Sequence, residues 1–133
     1  MNSLKSAVEF HGHLGPYLAL GLRAGVLGLR RIGCKKYFGL SVKVYGATQK
    51  PRSCLVDGLQ LSTGATYGKG NIHKHKAKRI KIVMLNLHNN KSIQISLKKT
   101  LVHALEKLKG HADSEKFAKR LFKINNREIF ELK

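Results

Sequence analysis

Apolar and polar positions alternate between two periods along this chain. Leu4, Ala7 and Val8 share one face at helical spacing, which predicts a short helix from Ser3 to Phe10. His11-Gly12-His13 ends it. A second helix is predicted from Pro16 to Ile32, with Pro16 in the first turn and Gly33 as the stop. Its Gly21, Gly25 and Gly28 lower helix propensity but permit close approach of another backbone. Tight core packing and a dimer seam are the two readings of that glycine stripe. Leu40 to Tyr45 alternates and predicts a strand. Ser53 to Thr63 predicts a helix with Ser53 as N-cap and Gly64 as terminator. Strands follow at Ile72–Lys76, Ile80–Leu87 and Ser92–Leu97, the last two joined by a turn at Asn89-Asn90. Helices are predicted at Thr100–Lys109 and Ser114–Lys123, then a short strand at Ile129–Leu132. The sum is one α+β domain over residues 1–133, an antiparallel sheet packed with helices from both ends of the chain.

Composition fits that picture. At 133 residues and 42% hydrophobic the chain is long enough for one core. Its longest apolar stretch, Leu18 to Leu29, has 12 residues and contains Arg23, whereas a membrane span needs about 20. No secretory leader is evident, so no membrane association and a cytoplasmic location are expected. Cys34 and Cys54 are too few for a disulfide framework and read as free thiols.

Charge changes the picture more. Lys and Arg number 26 against 7 Asp and Glu, a net charge of +19. Between Phe10 and Glu106 the only acid is Asp57, against 17 basic residues. Such an excess favours anionic partners: nucleic acid, an anionic small molecule or an acidic protein. With no Trp and 7% aromatic residues, a base-stacking platform is poorly supplied.

Several segments carry candidate chemistry. His11 and His13, two apart in an extended segment, point to one side and can share a divalent metal; the bland alternative is a local hydrogen-bonding feature. Cys54 falls in the first turn of its helix, where free amides and surrounding cations favour a thiolate. Asp57 and Gln60 follow on the same face, while Leu55, Val56 and Leu59 supply the core face. The alternatives are a buried small hydrophobe at Cys54 and a simple charge partner at Asp57. Thr63 to Asn71 is glycine-rich but fails as a nucleotide P-loop: only three residues separate Gly64 from Gly68, no Ser or Thr follows Lys69, and a helix precedes it. Its amides, with Lys69, can still hold an anion; otherwise it is a turn. His73 and His75 sit among lysines and read as a solvated basic strand rather than a metal site.

In order and spacing, Phe10-His11-Gly12-His13-Leu14-Gly15-Pro16, Gly21, Arg23, Cys54 to Gln60 and Thr63 to Asn71 resemble the core domain of the FmdE family, which takes its name from a component of formylmethanofuran dehydrogenase. The resemblance covers essentially the whole chain. It implies an α+β core, often a homodimer, with a site built from the His-Gly-His segment and the cysteine-bearing helix. By position, His11, His13 and Cys54 match the metal or active site, with Cys54 and Asp57 as candidate catalytic groups. Gln60 and Thr66 match supporting positions, and Lys69 and Asn71 match a cofactor-binding loop. Zinc suits the ligand set best, with iron or nickel as alternatives. The cysteine-rich zinc domain of some members is not expected after this core. Many members have Cys where this chain has Gly15, and commonly Cys where it has Ala65. The expected function is a small metal-binding protein, accessory or stand-alone, acting on an anionic small molecule. The alternatives are a basic nucleic-acid-binding protein and a non-catalytic accessory protein docking an acidic partner.

Overall fold

Thirteen of the seventeen residues of helix α2 (Pro16–Ile32) are buried, and the rest of the domain is built around it. The computed structural model describes residues 3–133. Before α2 comes α1 (Ser3–His11); after it come β1 (Leu40–Tyr45), α3 (Cys54–Thr63), β2 (Ile72–His75), β3 (Lys81–Asn86) and β4 (Ser92–Leu97). The chain closes with α4 (Lys99–Glu106), α5 (Gly110–Leu121), α6 (Asn126–Ile129) and β5 (Phe130–Leu132). The five strands form one sheet in the order β2-β1-β3-β4-β5.

The α+β class is as the pattern predicts, with one refinement. The pairs β1–β3, β3–β4 and β4–β5 are antiparallel, but β1 pairs with β2 in parallel, Val42 opposite Ile72 and Tyr45 opposite His75. Parallel neighbours need a crossover, and α3 provides it. The inward residues Leu40, Val42, Val44, Ile82, Met84, Ile93 and Ile95 meet α2 on one face of the sheet. Alternation along β1, β3 and β4 follows from that single buried face.

The glycines of α2 resolve in favour of core packing. A Cβ at Gly21 would lie 2.3 Å from the Leu55 carbonyl oxygen and 2.9 Å from the Gly58 Cα. A Cβ at Gly58 would lie 2.4 Å from the Leu18 oxygen. The backbones of α2 and α3 therefore cross in direct contact. The buried Ser62 hydroxyl clamps the crossing, donating to the carbonyls of Gly58 (2.8 Å) and Gly21 (3.1 Å) as alternatives. Arg23, on the other side of α2, donates to the carbonyls of Leu121 and Ile124 and to Asn126 Oδ1, fastening the C-terminal helices. Among the described residues no helix is long and apolar enough to cross a membrane.

Candidate functional site

Helix α1 ends on His11, and Gly12 turns the chain at φ +106°, a left-handed value that suits glycine. The turn brings His11 and His13 against α3. There His11 Nδ1 meets Asp57 Oδ2 at 2.6 Å. The His11 side chain is 10% exposed and Asp57 34%, so the pair is largely shielded on the imidazole side. A carboxylate on Nδ1 favours the tautomer with the hydrogen there, and leaves Nε2 with a lone pair. Nε2 is the one buried side-chain nitrogen or oxygen among the described residues with no hydrogen-bond partner. A buried imidazole nitrogen left without a partner costs about 1–3 kcal/mol, so its retention calls for a reason.

The rings of His11 and His13 stand 4.8 Å apart between centroids. Gly15 gives His13 its room: a Cβ there would lie 3.2 Å from His13 Cε1. His111, in the first turn of α5, places its ring edge-on to His13 at 5.9 Å. It lies outside every motif of the chain, and no signal in the sequence separates it from the other histidines.

Cys54 opens α3, but it is not the activated thiol expected from that position. The amides of Cys54, Leu55 and Val56 donate to the carbonyls of Pro51, Arg52 and Ser53 in a tight lead-in turn. Ser53 itself makes no side-chain cap. With those amides occupied, burial dominates and pushes the Cys54 thiol up; the Asp57 carboxylate pushes the same way and Lys50 opposes. The sulfur packs against the core edge. Cys34 also packs there, with its thiol raised by burial. Among the described residues, no group of three or more His, Cys, Asp or Glu side chains is arranged to hold a metal ion. The structure thus joins His11, His13 and Asp57, and leaves Cys54 on the same helix as Asp57, coupled to it through its charge.

The predicted binding loop is occupied with itself. Gln60 Oε1 accepts from the Tyr67 amide at 3.2 Å. Asn71 Oδ1 accepts from the Thr66 amide, and its Nδ2 donates to the Tyr37 carbonyl. Lys69 Nζ donates to the Gly64 carbonyl at 2.6 Å and to Thr66 Oγ1 at 3.3 Å. Lys69 and Asn71 therefore hold the loop in shape, and Ala65 fills the core beneath it with no exposure. Tyr67, half-exposed, has its phenol raised by burial and by Asp57, which places it at the rim of the His11–Asp57 pair. His73 and His75 lie exposed on β2, and the His75 ring stacks on Tyr45 at 4.8 Å.

The family model described as FmdE, Molybdenum formylmethanofuran dehydrogenase operon, matches residues 10–131. A "Probable S-adenosyl-L-methionine-binding protein" of Archaeoglobus fulgidus is 37% identical over 70 residues, 52% of this chain. The match spans only 19% of that relative. The fold is shared with an FmdE-like protein of tungsten formylmethanofuran dehydrogenase type from Syntrophus aciditrophicus. The two superpose with a TM-score of 0.70 at 19% identity, over 98% of this chain and 68% of the other. The match to the family model begins at the His-Gly-His turn, takes in the cysteine-bearing helix and the glycine loop, and ends in the last strand: the chain belongs to the FmdE family.

Proposed function

We propose that this chain is a metal-binding member of its family, with His11 as the first ligand through Nε2 and His13 and Cys54 completing the set. One observation carries the reading: Nδ1 of His11 is tied to a carboxylate while its buried Nε2 has no partner. Metal-binding histidines are commonly oriented this way, the far nitrogen donating to a carboxylate that fixes the tautomer. Asp57 is then a positioning residue rather than a ligand. Zinc fits imidazole and thiolate donors best, with iron or nickel as alternatives. Such an ion supplies Lewis acidity for polarising a carbonyl or activating water.

The ligands need little rearrangement around His13. Two imidazoles on one tetrahedral ion at about 2.1 Å have ring centroids about 5 Å apart. The His11–His13 separation is 4.8 Å. Cys54 must come to the ion by side-chain rotation and lose its proton. The substrate is proposed as a class, an anionic small molecule, supported by Lys50 beside Cys54 and by the net charge of +19. Neither formylmethanofuran nor S-adenosyl-L-methionine, named for relatives, is selected by a residue of this chain.

The test is elemental analysis of protein purified without chelator, then titration with zinc, iron and nickel. About one equivalent of metal is expected per chain. His11→Ala and Cys54→Ser lose it, and His73→Ala retains it. Equal retention by all three variants refutes the site.

A further inference from the structure

Away from the candidate metal ligands, the structure gathers side chains that the sequence scatters. Of the chain's 4 Tyr and 5 Phe, three lie together around the glycine loop with their rings open to solvent. Tyr37 is 52% exposed, Phe38 75% and Tyr67 50%. Lysines are interleaved with them. Lys69 Nζ lies 6.0 Å from the Tyr37 ring centre and 5.5 Å from that of Phe38. Lys36 stands 5.1 Å from the Tyr37 ring, and Lys74 5.9 Å from that of Tyr67.

The cluster is built rather than incidental. Tyr37 is held at φ +84°, a conformation rare for an aromatic residue. Its amide donates to the Thr63 carbonyl at 2.9 Å, and its carbonyl accepts from Asn71 Nδ2 at 3.1 Å. Its ring covers Gly64, where a Cβ would stand 2.3 Å from the Tyr37 ring. The loop whose polar groups are spent internally thus serves as the support of an aromatic surface.

We propose that Tyr37, Phe38 and Tyr67, with Lys36, Lys69 and Lys74, form a stacking platform for a single-stranded nucleic acid. Exposed aromatic faces accept unpaired bases, and ammonium groups between them take the backbone phosphates. The sparse aromatic content suggested that such a platform was poorly supplied; the fold supplies it by concentration. A second copy of the chain fits the surface less well, because it would bring the same lysines of a +19 chain face to face. An acidic peptide would satisfy the lysines and leave the rings unused.

The experiment is fluorescence anisotropy with a labelled oligothymidylate of about 15 nucleotides at about 50 mM salt. Binding is expected to weaken steeply with salt. Phe38→Ala and Tyr67→Ala should each weaken it about tenfold, with Tyr67→Phe close to wild type. Lys74→Gln should shallow the salt slope, which Phe38→Ala leaves unchanged. Lys119→Gln, on α5, is the control for general charge. The proposal is overturned by any of four results. These are no binding at low salt, aromatic variants binding like wild type, a duplex or polyglutamate of equal charge binding as tightly, or light scattering showing that Phe38→Ala splits a dimer. None of these readouts depends on bound metal, so the platform and the metal site stand or fall separately.

Discussion

Asp57→Asn tests the pairing that organises the candidate metal site. The substitution keeps the shape of the side chain and removes the charge facing His11 Nδ1 at 2.6 Å. An amide can either accept weakly from Nδ1–H or present its own N–H there, which drives the imidazole hydrogen onto Nε2 and blocks the ligand atom. Loss of an orienting carboxylate typically weakens metal binding about 10–100-fold, or about 1.4–2.8 kcal/mol. The structural cost is smaller. A hydrogen bond to a charged group contributes about 1.5–3 kcal/mol when shielded. With Asp57 34% exposed, solvent screening brings that to about 1 kcal/mol. For a chain of 133 residues this lowers the melting temperature of the metal-free protein by about 3–4 °C. Competition against a chromophoric zinc chelator measures the first effect and a thermal melt the second. If the variant melts lower by that amount yet binds zinc within twofold of wild type, the carboxylate only fastens α1 to α3 and the reasoning fails.

Two further outcomes follow from the packing and from the cysteine. Gly58→Ala puts a Cβ against backbone atoms, which cannot yield as a flexible side chain does. It should cost about 3 kcal/mol, the upper end of overpacking, and lower the urea midpoint by about 1 M or more. Gly68→Ala, whose Cβ would have only Thr66 Oγ1 within reach at 3.9 Å, should leave the midpoint unchanged. For Cys54, burial favours the protonated thiol, so iodoacetamide should alkylate it near neutral pH more slowly than a cysteine in an unstructured peptide. Since folding raises this thiol's pKa, its stabilising contribution is full below the unfolded value and lost as pH rises through the folded one. Metal-free protein should therefore melt lower on the alkaline side, and Cys54→Ala should reduce that decline. An alkylation rate equal to the peptide's would show an activated thiolate instead.

The regular elements were legible because each pattern has one cause. Pro16 and Gly33 bracket α2, and Gly33 is indeed left-handed at φ +63°. Leu40 to Tyr45 and Ser92 to Leu97 alternate because only one face of the sheet is buried. The parallel pairing of β2 was not legible from alternation, because only Ile72 of that strand is buried and an exposed edge carries no facing information. The intervening α3 was the available clue. Helix α6 is a four-residue turn before β5, too short to have a period. At the site, the spacing of Cys54, Asp57 and Gln60 revealed a shared helix face, but not which groups would use it. Gln60 turns to the loop, Asp57 to His11, and the first-turn amides are taken by the carbonyls before them. His111 and the cluster of Tyr37, Phe38 and Tyr67 arise from contacts between distant segments, which no local pattern encodes.

The contact of Gly21 with Gly58 also sets a rule for how this domain can vary. Asp57 is the residue next to Gly58, and the distance from α2 to α3 there is set by main chain against main chain. No choice of side chain tunes it. Substitutions among Val42, Ile82 or Ile95 can therefore reshape the interior over the sheet while the carboxylate keeps its station beside His11. The domain separates what is free to drift from what is held, and a library built for new chemistry should leave the two glycines and Ser62 untouched.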